Sequence, residues 1–296
     1  MTHQIKTSAV TIGTFDGYHR GHQAVVQTLR AEAAARCLEP IAIGFDRHPL
    51  AVVAPERTPR MLCSAERRHR LISGDGVRVM DMEFDRKLAG VRSRDFMRML
   101  RDTLGTCLII IGYDNTFGCD GVDMNVAQYI DLGAQEGVEV LEAPLIEGIS
   151  SSAIRKAVAA GDIEKANMML GRPYGIEGGI VHGRGIGHTL GFPTANLRPG
   201  YPAQLPGNGV YVAEALLPGG TRHPAIVNVG VRPTVGNSPE PQIEAHLLDY
   251  KGDLYGSEMT LEFLSRLRDE KKFDSRRELT EAIAADMKEA RQRFML

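Results

Sequence analysis

Residues Gly13–His22 read GTFDGYHRGH. They follow an apolar run, Ala9–Ile12, and precede a helix-like run, His22–Arg36. A strand that turns through glycines into a helix is the local unit of a parallel α/β sheet. Gly13, Gly17 and Gly21 let the backbone turn tightly and approach a ligand. The first amides of the helix are unsatisfied within it and favour an anion. His19 and His22 are three residues apart and share a face within a helical turn. Two imidazoles in that place suit the oxygens of a triphosphate. Taken alone, the stretch also fits a glycine-rich turn with two surface histidines.

Working outward, the first half keeps alternating. Apolar runs recur at Pro40–Phe45, Val77–Asp81, Cys107–Gly112 and Val138–Ala143, with helical stretches at Ser93–Leu104 and Val126–Gln135. Two short helices are expected at Ser151–Ala159 and Ile163–Leu170. The first opens with ISSSAIR (Ile149–Arg155), where Ser150, Ser151 and Ser152 are cap residues and Arg155 can grip a phosphate bidentately. An ordinary capped helix with a solvated arginine reads the same way.

Near Gly171–Arg172–Pro173 the texture changes to short β-like runs among glycines and prolines: Gly175–Val181, Val210–Leu216, Ala225–Val229, Ile243–Leu248 and Met259–Leu264. A small antiparallel barrel or sandwich is expected there. A final helix follows, with Ser275 and Glu278 spaced as a capping box and Leu279, Ile283 and Met287 on one face. The predicted domains are residues 1–172 and 173–296.

Between the first two β-runs of that half lies GRGIGHTLGFPTANL (Gly183–Leu197). Gly183, Gly185, Gly187 and Gly191 make a loop able to fold over phosphates. Thr194 and Asn196 offer hard oxygen ligands suited to Mg²⁺. Further on, alternation puts Glu244 and His246 on one strand face, opposite Ile243 and Ala245. A carboxylate there can serve as general base for an alcohol; a surface glutamate on a half-exposed strand is the plainer alternative.

Composition narrows the function class. Net charge is -2, and neither half carries the basic excess with which proteins grip nucleic acid. The cysteines (Cys37, Cys63, Cys107, Cys119) form no C-x-x-C pair, so reduced thiols of a cytoplasmic protein are expected rather than a disulfide framework or zinc site. No apolar run reaches the roughly 18 residues of a membrane span, and residues 1–30 lack a signal-peptide pattern.

With these motifs in order, the chain resembles the bacterial bifunctional riboflavin kinase/FAD synthetase family. The resemblance runs through GTFDGYHRGH, FDRHP (45–49), IGYDNTFG (111–118), ISSSAIR, LGRPY (170–174), GFPTAN, NGVY (208–211), NVGVRPT (228–234), IEAHLLDY and RLRDEKKF (266–273). It implies a Rossmann-like nucleotidyltransferase domain with a parallel sheet, then a six-stranded antiparallel flavokinase barrel with a terminal helix. By the same resemblance, Gly13, Phe15, Asp16, Gly17, His19, His22, Ser151, Ser152 and Arg155 handle ATP as FMN becomes FAD. Gly183, Gly185, Gly191, Thr194 and Asn196 hold phosphate and Mg²⁺ as ATP phosphorylates riboflavin, and Glu244 is the base.

Three stretches depart from the family pattern. The basic residues expected after IGYDNTFG are replaced by Cys119, Asp120, Gly121, Val122 and Asp123; Arg47 replaces a proline in FDRHP; and Gly185–His188 replaces R-G-R. The first departure raises one alternative, a riboflavin kinase with a weakened N-terminal module; a flavin-binding regulator without turnover is a separate one, from a different class.

Overall fold

The computed structural model describes residues 7–113, 115–182, 194–232 and 240–295. The chain forms two compact units, Met1–Pro59 with Ala65–Ser150, and Arg60–Ser64 with Ser151–Leu296.

In the first unit, β1 (Ser8–Ile12), β2 (Glu39–Phe45), β3 (Arg78–Met82), β4 (Thr106–Ile111) and β5 (Glu139–Glu142) make a parallel sheet of order β3-β2-β1-β4-β5. Every residue of β1 is buried. Its alternate side chains feed two cores, because helices cover both faces of a parallel sheet. Val10 and Ile12 pack with Phe96, Met97 and Leu100 of α5 (Ser93–Leu104). Ala9 packs with Val25, Val26 and Leu29 of α1 (Arg20–Ala35) and Ile72 of α3 (Ala65–Gly74). The short helices α2 (Leu50–Val53) and α4 (Arg86–Ala89), and then α6 (Val126–Glu136), complete this unit. Strand order reverses between β1 and β4, and the carboxyl ends at such a switch point are where open α/β sheets bind ligands.

The second unit opens with α7 (Ser151–Ala160) and α8 (Ile163–Leu170). It continues as β6 (Tyr174–Val181), β7 (Ala195–Pro199), β8 (Gly209–Leu216), β9 (Arg222–Arg232), β10 (Glu240–Leu247) and β11 (Glu258–Arg268), closing a barrel of order β10-β7-β6-β11-β8-β9. Small side chains line its core: Ala213, Ala215, Ala225 and Ala245 are wholly buried beside Val227 and Phe263. The last helix, α9 (Arg276–Arg293), docks through Met287, Ala290 and Phe294 on Val210, Val212 and Ile226. Arg268 grips its Asp286 at 2.7–3.2 Å. Residues 60–64 belong to this unit by hydrogen bonding: the Met61 amide donates to Pro202, the Gln204 amide to Met61, both at 2.8 Å, and the Ser64 hydroxyl to Glu177.

The expected fold class holds in both units: a parallel sheet, and a closed six-stranded barrel with a final helix. Four elements escaped the sequence patterns, the helices α2, α3 and α4 and the strand β7. At α9 the expected box is half formed: the Ser275 hydroxyl accepts from the Glu278 amide at 3.3 Å, whereas the Glu278 carboxylate reaches Asp274.

The stretch after β4 uses its unexpected acid for structure. Asp120 accepts from the Ser93 hydroxyl and the Ser93 amide, both at 2.7 Å, and from Arg92 at 3.2 Å. It caps α5 from another part of the chain. The Ser93 hydroxyl, then the Ser93 amide, hold its carboxyl at about 2, against an ordinary 3.8. A depressed pKa gives stability that is complete above the ordinary value and is lost as pH falls through the folded one. Asp120→Ala is therefore expected to cost about 1 kcal/mol in urea unfolding at neutral pH, the usual worth of a cap. Its deficit should narrow as pH falls from 3.8 toward 2; a deficit constant across that window rules out a charged cap.

Candidate active sites

The first site is built on the exit from β1. The Gly13 amide is the last tie to the sheet, donating to Ile43 at 3.0 Å. The backbone then turns through left-handed conformations at Phe15 (φ 46°), Gly17 (φ 76°) and Tyr18 (φ 39°). For non-glycine residues such geometry costs roughly 1–3 kcal/mol each and clusters at ligand clamps. Burial holds it in place: Phe15, Asp16 and Tyr18 are each at most 2% exposed. The Tyr18 hydroxyl donates to Asp75, and the Tyr18 carbonyl accepts from the Gln23 side chain at 2.9 Å.

His19 is the N-cap of α1 and is buried, its Nδ1 accepting from the His22 amide at 3.3 Å. A neutral imidazole whose Nδ1 accepts carries its proton on Nε2, so His19 presents a donor away from the helix. The His22 ring stacks on it with centroids 3.7 Å apart, and Phe15 meets His22 edge-on at 5.4 Å. Gly21 permits this stack, since a Cβ there would lie 3.1 Å from the His19 ring. The first turn of α1 has no acidic residue, so its positive end meets an incoming anion without competition.

The departures around this site have structural partners. Asn115 donates from its amide to the Ile12 carbonyl, tying the end of β4 to the end of β1. Phe117 is buried against Phe96 and Tyr129, and the Tyr129 hydroxyl lies 2.9 Å from its amide and 2.7 Å from its carbonyl. Arg47 folds onto Asp46 at 2.8–2.9 Å. Asp114 lies outside the described residues.

Ser151, Ser152 and Arg155 stand on α7, in the second unit. Arg155 Nε donates to the Arg60 carbonyl at 2.7 Å, so the 60–64 segment orients that guanidinium.

The second site lies on the outer face of the barrel. Glu244 pairs directly with Asn196 on β7 and with Asn228 on β9. Directly opposed residues place their side chains on one face with Cβ atoms about 4.5–5.5 Å apart. Ile243, Ala245 and Leu247 are buried in the core, so the Asn196–Glu244–Asn228 row faces outward. Asn196 is nonetheless buried, and Glu244 and Asn228 are half-buried. A half-sheltered carboxylate flanked by two amides can take a proton from an alcohol and orient it. Thr194 sits just before β7. Gly183, Gly185, Gly187 and Gly191 lie outside the described residues. Asn228 was not singled out as a site residue from sequence; the signal was its place at the head of NVGVRPT, opposite Glu244.

Among the described residues no group of three His, Cys, Asp or Glu side chains could hold a metal, and no helix is long and apolar enough to cross a membrane.

Comparison with known proteins divides the chain in the same sense. A family model described as FAD synthetase matches residues 1–155, and one described as riboflavin kinase matches residues 170–294. A Pseudomonas fluorescens protein named bifunctional riboflavin kinase/FMN adenylyltransferase is 37% identical over 95% of this chain and 91% of its own length. The Escherichia coli K12 protein of the same name is 36% identical over 97% of this chain and 93% of its own. A solved structure titled as a macrolide-efflux protein from Streptococcus pneumoniae superposes with a TM-score of 0.86 at 29% identity, covering 97% of this chain and 94% of that one.

The His19 geometry makes a direct prediction. In ¹⁵N NMR of the histidine side chains at alkaline pH, His19 should show a protonated Nε2 and a bare Nδ1. The opposite tautomer contradicts the cap.

Proposed function

The chain belongs to the bifunctional riboflavin kinase/FMN adenylyltransferase family, and from that premise we propose which of its residues carry each transfer. The enzyme phosphorylates riboflavin with ATP to give FMN, then adenylylates FMN to FAD with release of pyrophosphate.

For the adenylyl transfer, the loop Gly13–Gly17 and the start of α1 receive the ATP phosphates. His19 and His22 donate to phosphate oxygens as pyrophosphate leaves. Ser151, Ser152 and Arg155 are the further phosphate ligands. The nucleophile, an FMN phosphate oxygen, is already an anion, so no general base is required. The work of the protein is placement and charge stabilisation. The observation that carries this reading is the stacked His19–His22 pair at an acid-free helix N-terminus.

For the phosphorylation, Glu244 takes the proton of the terminal ribityl hydroxyl as that oxygen attacks the γ-phosphorus and ADP leaves. Asn196 and Asn228 flank the carboxylate and orient it. Gly183, Gly185 and Gly191, outside the described residues, are assigned to phosphate binding. Thr194 and Asn196 would hold Mg²⁺. Two neutral oxygen ligands beside one carboxylate, with no acidic cluster among the described residues, fit an ion that arrives largely coordinated by nucleotide phosphates and water. When bound, it would neutralise charge on the transferring phosphoryl group.

The catalytic modules we assign are 1–172 and 173–296, although the compact units part at Ser150/Ser151. A weakened N-terminal module is not favoured. Of the acids that prompted it, Asp120 is committed to capping α5, and Arg47 is neutralised by its own neighbour. We place the enzyme in the cytoplasm, where its exposed thiols, Cys37 and Cys119, stay reduced.

The test follows riboflavin, FMN and FAD by chromatography in a mixture with ATP and Mg²⁺. The parent should give FMN and then FAD. Glu244→Ala should lower FMN formation by about 10²–10⁴-fold, the range for loss of a general base, while still converting supplied FMN. His22→Ala should slow only the second step. Parent protein that stops at FMN would overturn the assignment of the first site.

A further inference from the structure

Arg68 is a charged side chain enclosed in the first unit, 6% exposed, on a helix whose existence periodicity did not reveal. Both Asp81 oxygens lie within 3.1–3.2 Å of its Nη2. The same nitrogen donates to the Phe45 carbonyl at 3.0 Å, and Nη1 reaches the Thr14 carbonyl at 3.4 Å. His69 is the other group on Asp81, at 2.8 Å. Enclosing a guanidinium is unfavourable unless the partners are placed for it. These partners are.

Their position gives the arrangement its meaning. Phe45 is the last residue of β2 and Thr14 is the second residue beyond β1. From them depart FDRHP and the loop that ends in His19 and His22. One planar fork therefore ties the roots of both loops to β3, which carries Asp81. The sequence leaves room for it. A Cβ on Gly44 would fall 2.5 Å from Asp81 Oδ1 and 3.5 Å from Arg68 Nη2. Packing alone would be served by an apolar side chain with no glycine beneath it.

We propose that Arg68 is a positioning residue for adenylyl transfer: by holding the Thr14 and Phe45 carbonyls it sets where His19 and His22 meet the nucleotide phosphates. It touches no reacting atom itself. The inference rests on the reading of that loop as the phosphate site. A lysine keeps the charge but cannot form the fork, so Arg68→Lys is not conservative here. Gly44→Ala keeps every polar partner and displaces the pair.

Both steps are measured on the full chain for the parent, Arg68→Lys, Gly44→Ala and His22→Ala, with riboflavin phosphorylation as the internal control. Arg68→Lys and Gly44→Ala should each lower kcat for FMN adenylylation by about 10–100-fold, the scale of a small misplacement of reacting groups. The KM for ATP and the phosphorylation rate should stay near parent values. That split marks an interaction needed in the transition state rather than for binding. Three results overturn the proposal: adenylylation at the parent rate in Arg68→Lys, loss of both activities in parallel with a fallen melting temperature, or a rise in KM alone. If His22→Ala adenylylates normally, the phosphate-site reading fails and takes this inference with it. If His22→Ala is slow and Arg68→Lys is not, only the inference fails.

Discussion

The burial of β1 on both faces and both edges constrains everything in the first unit. Its backbone pairs with β2 on one side and β4 on the other, and its side chains fill two cores. Such a strand can neither slip by a residue nor fray without exposing a core. The chain can leave only at Ile12, at one fixed height, into a turn where Gly13 makes the last bond to the sheet. The left-handed residues at Phe15 and Tyr18 are tolerable because this frame over-determines them. A rigid strand thus delivers a helix N-terminus and two histidines to a defined place.

The barrel solves the placement problem differently. Six strands close around a core lined by Ala213, Ala215, Ala225 and Ala245 with Val227 and Phe263. Asn196, Glu244 and Asn228 sit on the outer face instead, along the row that crosses β7, β10 and β9. Elsewhere that face carries Val210, Val212 and Ile226, which α9 covers. The pairing of Glu244 with two asparagines is a matter of register, so the same hydrogen bonds that close the barrel also align the site.

Legibility in the sequence followed apolar pattern. All five strands of the first unit were readable as apolar runs, most plainly β1 and β4, because a parallel strand buried on both faces shows no polar alternation. Helix α3 was not readable, since its buried positions include Arg67 and Arg68, which periodicity assigns to solvent. Strand β7 is five residues long and contains Asn196, Arg198 and Pro199, none a strand former. The two histidines and Glu244 were legible as chemistry in a motif. Asn228 was not, because what sets it apart is its cross-strand pairing with Glu244, sixteen positions away. Asp120 looked like a charge reversal near a ligand; its partner Ser93 is 27 residues earlier, beyond any local pattern.

Arg60–Ser64 shows why linear and spatial boundaries differ. A chain that visits the second unit and returns is tied there by backbone hydrogen bonds at Met61 and by Ser64 on Glu177. Those five residues support β6 and orient Arg155 through the Arg60 carbonyl. Cutting the chain at a single point anywhere between 65 and 172 therefore leaves a barrel fragment without the Met61–Ala203 bridge and the Ser64–Glu177 bond, whichever catalytic module the cut respects. Sequence motifs mark where chemistry changes along the chain. Compactness marks where packing changes, and a brief excursion is enough to separate the two.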